Sequence, residues 1–192
     1  IYSDYTDRIE NFGLDEAWLD ITNGIESDGY KTALEIKNRI KEEIGITVSI
    51  GVSFNKIFAK FGSDYKKPDA ITCITRENFK DIVWNSPTGD LLYVGKATKN
   101  KLNRIGIYTI GDIANTSPDI LRKLLGKWGD LIYGFANGFD SSPVAHMNDN
   151  TEVKSIGNST TTPRDMESFD DVKVVMYVLC DSVCRRLREQ GF

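Results

Sequence analysis

The apolar positions change period several times along the chain, and each change marks an element. Ile9, Phe12, Leu14, Trp18, Leu19 and Ile21 are strand formers crowded into residues 8–22, which predicts a β-hairpin with Asp15-Glu16 at or near its bend. Residues 25–29 then turn into a helix with the stripe Ala33, Leu34, Ile36, Ile40, Lys41 and Ile44, closed by Gly45. The β-branched run 46–53 predicts a strand, and the order strand, helix, strand predicts a βαβ-like crossover within one sheet. Ser53 or Asn55 can cap a second helix that Pro68 ends, with Lys56 and Lys60 on one face. Residues 70–75 read as a short strand and 77–84 as a short helix. The turn-rich Ser86-Pro87-Thr88-Gly89 follows as a boundary.

Beyond that boundary the pattern is helical and punctuated by glycine, with helices predicted over 96–105, 110–116, 118–125 and 128–137. Residues 137–152 read as a polar linker holding an exposed His146, with Ser141-Ser142-Pro143 and Asn148-Asp149-Asn150-Thr151 not expected to pack. Residues 154–163 read as a strand opening a new domain. Residues 169–190 read as a long helix, with Val172, Val175, Met176, Leu179, Val183 and Leu187 as its buried stripe and Cys180 and Cys184 as core filler. The fold class expected is mixed α+β: a partial α/β sheet over 1–86, an all-helical module over 87–140, a linker over 141–153, and the start of an α+β domain over 154–192.

Composition narrows the function classes. Of 192 residues, 40% are hydrophobic, enough for a folded core. No apolar run approaches the roughly 18 residues of a membrane span, so a cytoplasmic protein is expected. Cys73, Cys180, Cys184 and His146 give neither a disulfide set nor a zinc spacing. A net charge of −4 excludes a surface that binds polyanions throughout and leaves local basic patches: Lys56, Lys60, Lys66 and Lys67; Lys96, Lys99, Lys101 and Arg104; Arg122, Lys123 and Lys127. A solvated face is the plain alternative for each patch. The chain opens on Ile1, with no strand before its first hairpin, and reads as a piece of something longer.

Three features carry chemistry. Asp15 and Glu16, flanked by Phe12, Leu14, Trp18, Leu19 and Ile21, need a cation or hydrogen-bonding partners to offset desolvation. A hard divalent ion such as Mg²⁺ suits them, and a surface hairpin with an acidic turn is the alternative. Lys67, past a helix end and before Pro68, is expected to be extended, with its ammonium projecting toward a phosphate. Gly95 with Lys96 and Lys99, and Gly126 with Lys127, place glycine, helix N-terminal amides and lysines together, a combination that suits a nucleic-acid backbone without reading its sequence, and an ordinary helical bundle with glycine C-caps is the alternative.

The stretch Gly13-Leu14-Asp15-Glu16-Ala17-Trp18-Leu19-Asp20 resembles the Ser-Ile-Asp-Glu-Ala-Tyr-Leu-Asp signature of Y-family (translesion, UmuC/DinB-like) DNA polymerases, with Gly13 in place of the usual Ser. The resemblance implies that Asp15 and Glu16 lie in a palm and hold the catalytic metals. Asn55-Lys56 through Lys67-Pro68 is similar to the family's Asn-Lys-x-x-Ala-Lys to Lys-Pro stretch, which assigns Lys67 to the incoming triphosphate; Asp69-Ala70 replaces the usual Asn-Gly. Residues 94–102 and 125–131 resemble helix-hairpin-helix DNA-backbone binders and match the family's thumb, with Tyr93 where a glycine is usual. Ser155-Ile156-Gly157 resembles the first strand of the little finger, which grips duplex backbone, with Asn158-Ser159 where family members often have Arg and Glu.

What the resemblance implies is a template-directed polymerase that extends primers past damaged bases in DNA repair and the SOS response. Two Mg²⁺ ions (or Mn²⁺) would serve as cofactors. Primer-template DNA and a deoxynucleoside triphosphate would be partners, with a sliding clamp in the full-length protein and no membrane. The chain is expected to hold the C-terminal part of the palm, a whole thumb and the first half of the little finger, and to be catalytically silent alone. A non-catalytic helix-hairpin-helix DNA binder is the alternative. A nucleotide cyclase with a related palm is a third, against which the thumb hairpins speak.

Overall fold

Strand β1 (Ile9–Phe12) turns through residues 13–15 into β2 (Glu16–Leu19), antiparallel with Ile9 opposite Leu19 and Phe12 opposite Glu16. The computed structural model describes residues 1–22, 28–149 and 153–192. Asp15 closes the turn and Glu16 opens β2, so the acidic pair sits at the bend as the hydrophobic pattern indicates. The flanking apolar run is not buried throughout, however: Trp18 is buried, while Leu14 and Asp15 stand exposed at the tip. Solvent therefore reaches the pair, and desolvation alone does not demand a cation there.

The turn expected over 25–29 lies largely outside the described residues. Helix α1 (Gly29–Glu43) begins with the Asp28 carboxylate accepting from the Tyr30 and Lys31 amides. It buries Ala33, Ile36 and Ile40, but leaves Leu34 and Ile44 exposed, so the apolar stripe is narrower than expected. Only Ile50–Ser53 of the run 46–53 becomes strand (β3), because only these residues find a partner, β4 (Ile71–Ile74), in parallel register from Ile50 and Ile71 onward. The crossover is thus β3, helix α2 (Lys56–Tyr65), β4, and not the expected one around α1. The hairpin and the parallel pair are separate two-stranded sheets.

Helix α2 is capped by Asn55, whose side-chain oxygen accepts from the Phe58 amide at 2.8 Å. It lies so close on β3 that a Cβ at Gly51 would run into the Ala59 carbonyl oxygen. Its inner side, Ile57, Phe58 and Phe61, joins one continuous core with Ile74 of β4, Val83 of α3 (Phe79–Val83) and the helices that follow. These are α4 (Lys96–Asn103), α5 (Ile110–Asn115), α6 (Pro118–Leu125) and α7 (Lys127–Ala136), each within about two residues of its expected bounds. Leu102, Ile110, Ile113, Leu121 and Ile132 are their buried contributions. Trp84 Nε1 donates to the Ala136 carbonyl at 2.9 Å and Asn55 Nδ2 to the Gly138 carbonyl at 3.0 Å, fastening the α7 end onto α2 and α3.

The start of α5 is a reciprocal cap. Thr109 Oγ1 accepts from the Asp112 amide, and Asp112 Oδ2 accepts from the Thr109 and Tyr108 amides at 2.9 Å each. The Thr109 amide first, then that of Tyr108, holds the Asp112 carboxyl below the usual carboxylate range. A carboxyl depressed in the fold contributes stability that is present above its unfolded pKa of about 4 and is lost as pH falls through the lower folded value. Asp112→Ala is therefore expected to cost about 1 kcal/mol at neutral pH and progressively less in acid, read from urea unfolding at a series of pH values.

Ser141, Ser142, Pro143 and Asn148 are exposed, as expected of the polar linker, while residues 144–147 between them are fastened to the chain around β1. Val144 is buried, the Ala145 amide donates to Glu10 Oε2 at 2.9 Å, and the Met147 amide donates to the Asp7 carbonyl at 2.9 Å. His146 is partly exposed, with Nε2 3.0 Å from Asp7 Oδ2 and Nδ1 accepting from the Asn148 amide. Of the expected loose stretch, Asn150, Thr151 and Glu152 lie outside the described residues.

The chain divides into the units Ile1–Asn148 and Asp149–Phe192. In the second, residues 154–163 form no strand, since no neighbouring strand among the described residues pairs with them. Helix α8 (Phe169–Glu189) starts with a Ser168–Asp171 capping box. Val175, Leu179, Val183 and Leu187 are half-buried while Val172, Met176, Cys180 and Cys184 are exposed, so the expected stripe is only partly covered and the cysteines are not core filler. Among the described residues no helix is long and apolar enough to cross a membrane.

Candidate active site and nucleic-acid interface

The hairpin is held against α2 by residues one helical turn apart. Trp18 Nε1 donates to the Lys56 carbonyl at 3.0 Å, and the Lys56 ammonium lies 4.6 Å from the Trp18 ring centroid and 2.6 Å from Glu10 Oε1. Burial pushes the Glu10 carboxyl up, but its bonds from Lys56 and the Ala145 amide outweigh that and hold it below the ordinary range. Lys60 repeats the arrangement: its Nζ lies 2.9 Å from Glu16 Oε1 and 2.7 Å from Asp64 Oδ2. Lys56 and Lys60 therefore face inward onto the hairpin, not outward as the solvated-face reading has it.

Lys67 completes the cluster. Its Nζ is 2.7 Å from Asp64 Oδ1 and 3.9 Å from Glu16 Oε1, so it reaches the acidic bend from the far end of α2. Burial pushes the Asp64 carboxyl up, and hydrogen bonds from Lys60 and Lys67 overcome this to leave it lowered. Asp15, Glu16, Lys60 and Lys67 all line one cleft of about 400 Å³ between the hairpin, α1 and β3. Asp64 and Glu10 are the site residues that the sequence motifs do not mark. For Asp64 a signal is present, since it lies four residues after Lys60 on α2 and three before Lys67, just past the helix end. Nothing in the sequence pairs Glu10 with Lys56.

Two carboxylates at a bend match the donor set Mg²⁺ uses, one or two protein carboxylates with water and substrate phosphate completing the shell. Among the described residues no group of three or more His, Cys, Asp or Glu gathers as a metal cage. The pair therefore fits as part of a shared site and not as a closed one. Asp15 is exposed and Glu16 keeps Oε2 apart from its bond to Lys60.

The helical module places the other expected residues. Gly95 is the N-cap of α4, with open space around it, and Lys96 begins the helix, exposed, one turn from Lys99. Gly126, at φ 65°, ends α6 and starts α7 at once, a reversal that a side chain would strain. Lys127 follows it, exposed. Among the described residues Lys96, Lys99 and Lys127 form no ion pair, whereas Arg122 is taken up by Asp119 and Asp130. Tyr93, at the position where a glycine was expected, adopts φ 70°. Its ring lies 6.2 Å from that of Trp128 and 6.1 Å from that of Phe135, contacts that offset the roughly 1–2 kcal/mol a left-handed side-chain residue costs and tie the two helix starts together. Ser155 and Gly157 belong to the second unit. Both are exposed, and the Gly157 carbonyl accepts from Arg186 Nη1 at 2.9 Å.

Residues 1–64 match the impB/mucB/samB family, and residues 153–192 match the impB/mucB/samB family C-terminal domain. The chain belongs to the impB/mucB/samB family. It is 54% identical to DNA polymerase IV of Acetivibrio thermocellus over 100% of this chain and 48% of that protein. To DNA polymerase IV 2 of Bacillus subtilis it is 39% identical, over 100% and 48%. Among solved structures it is similar to a Y-family DNA polymerase chimera of Dbh and Dpo4, with a TM-score of 0.79 at 28% identity over 95% of this chain and 53% of that one. It is also similar to an insertion ternary complex of Dbh DNA polymerase, with a TM-score of 0.66 at 32% identity over 74% and 42%. The chain spans about half the length of the curated relatives it matches. The resemblance seen in the Asp15-Glu16 stretch and the mixed α+β class are thus both borne out.

Proposed function

We propose that the protein carrying this chain is a template-directed DNA polymerase of the translesion Y family, acting on primer-template DNA and deoxynucleoside triphosphates. The observation that carries this is the meeting of Asp15 and Glu16 with Lys67 at one cleft, in a chain whose relatives are named DNA polymerase IV. Asp15 and Glu16 would hold Mg²⁺, which when bound supplies charge stabilisation to in-line phosphoryl transfer. Lys67 binds and neutralises the triphosphate, and Lys60 holds Glu16 in place behind it. Because no third carboxylate joins the pair among the described residues, the 192-residue chain alone is proposed to be silent. Primer extension by the full-length protein past a damaged template base tests the reading. Duplex binding without any extension would return the non-catalytic DNA binder.

The duplex would be held by the helix-hairpin-helix module through the backbone amides at Gly95 and Gly126 and through Lys96, Lys99 and Lys127, with Ser155 and Gly157 adding backbone contacts. Replacing any one of these lysines by Ala is expected to lower the slope of log K against log salt by about one unit and to weaken all sequences alike. Fluorescence anisotropy with two unrelated duplexes over a salt series checks it, and weakening confined to one sequence would indicate base reading. A sliding clamp as partner, a cytoplasmic location and service in the SOS response belong to the same proposal.

A further inference from the structure

Lys67, the group that would meet the triphosphate, already has an anion on it. The Asp64 carboxylate bridges two cations, with Oδ1 2.7 Å from Lys67 Nζ and Oδ2 2.7 Å from Lys60 Nζ. The two lysines differ in freedom. The Lys60 side chain is 15% exposed and is fixed between Glu16 and Asp64, whereas those of Lys67 and Asp64 are 51% and 49% exposed. The Lys60 contact is built in. The Lys67 contact is open to water and to exchange.

We propose that Asp64 is an internal competitor for Lys67: it occupies the ammonium when no nucleotide is bound, yields it to the triphosphate, and takes it back as pyrophosphate leaves. Asp64 touches neither metal nor substrate and acts through Lys67, as a positioning residue. The inference rests on the reading of Lys67 as the phosphate ligand. Three steps support it. A carboxylate and a phosphate oxygen ask the same thing of an ammonium, a charge-assisted hydrogen bond, and the 2.7 Å Asp64 contact takes up one of the three Lys67 N–H donors and offsets part of its charge. The arriving anion also meets the charge of Asp64 at short range, so the carboxylate opposes binding by repulsion as well as by occupancy. Against this stands the ordering of Lys67 that Asp64 provides, but an exposed pair orders a lysine weakly and is worth at most about a fivefold factor in an equilibrium. Lys60 stays with Glu16 whichever anion Lys67 holds, so the acidic bend is not disturbed by the exchange. A ligand with several negative charges outcompetes one carboxylate, while a monophosphate does so poorly. Asp64 would thereby favour triphosphate over its shorter relatives and hasten product release.

The test is nucleotide binding by the full-length protein on a dideoxy-terminated primer-template, with Asp64→Asn, Asp64→Glu, Lys67→Met and the double variant Asp64→Asn/Lys67→Met. Asp64→Asn is expected to tighten triphosphate binding about threefold to fivefold and to lower the inhibition constant of pyrophosphate in parallel. Asp64→Glu, whose carboxylate still reaches Lys67, is expected to restore native affinity. In the Lys67→Met background the gain from Asp64→Asn is expected to shrink to the part owed to charge repulsion alone, and an undiminished gain there would refute the competitor. A structural fault at the end of α2 would weaken binding, so a gain in affinity cannot come from damage. If Lys67→Met weakens triphosphate binding but Asp64→Asn leaves it unchanged or weaker, the competitor is refuted and the role of Lys67 stands. If Lys67→Met itself has no effect on triphosphate binding, the reading of Lys67 falls, and this inference with it.

Discussion

Asp15→Ala in the full-length protein is expected to lower the rate of nucleotide incorporation by about two to four orders of magnitude while leaving folding intact. The asymmetry follows from the position of the residue. Asp15 is exposed at the hairpin turn, outside the Trp18–Lys56–Glu10 fastening, so its carboxylate contributes little to stability. On the proposed reading its loss removes an anionic oxygen that would help hold Mg²⁺ where charge is balanced during phosphoryl transfer. Glu16→Ala is expected to match it in rate but to differ in stability, because it deprives the partly buried Lys60 of one of its two carboxylates. Single-turnover primer extension separates incorporation from DNA binding, and thermal unfolding reports the fold. Near-native incorporation by Asp15→Ala would remove this residue from the reaction.

Local features were legible in the sequence and pairings between distant elements were not. Asp15-Glu16 at a hairpin bend, the Asn55 cap and helix α6 all follow from residues within a few positions of one another, where turn chemistry, capping and periodicity act. The partner of β3 is a different matter. The β-branched run 46–53 is compatible with pairing on either side of it, and only the three-dimensional placement of α2 selects β4. The same limit explains the basic helix face: the spacing puts Lys56 and Lys60 together, but the spacing does not say that Glu10 and Glu16 wait opposite.

The half-covered face of α8 makes the converse point. Its helical period is legible in the sequence, yet period specifies that a face is apolar and not how fully the same unit covers it. Polar composition does not announce the fastening of residues 144–147, where two backbone amides donate to the Glu10 carboxylate and the Asp7 carbonyl, partners far away in the sequence. Tyr93 departs from the glycine pattern. It keeps the left-handed backbone all the same, because its ring has Trp128 and Phe135 to pack on.

Gly51→Ala is expected to destabilise the first unit by about 3 kcal/mol, near the upper end of what overpacking costs. Gly51 lies in the middle of β3, and its missing side chain is what lets α2 rest on the strand: a Cβ there meets the backbone of Ala59 and Ser63, which cannot turn aside as a flexible side chain would. Relief requires α2 to lift or slide, and α2 carries Phe58 and Phe61 in the core and Lys60 at the acidic bend. The strain therefore falls on packing and on the site together. Melting of this unit should drop by roughly 6–12 °C, and triphosphate binding should weaken even at temperatures where the protein stays folded, because Lys60 and Lys67 move with the helix. Gly95→Ala is the matched control. Gly95 has φ −73° and nothing within 4 Å of the added carbon, so its change in stability should be limited to the preference of an N-cap for glycine over alanine, about 1 kcal/mol or less. Calorimetry on both variants, with nucleotide titration at 25 °C, checks the contrast. A native melting temperature for Gly51→Ala would mean that α2 does not need its close seat on β3, and the account of how the helix aims its lysines at the bend would have to be abandoned.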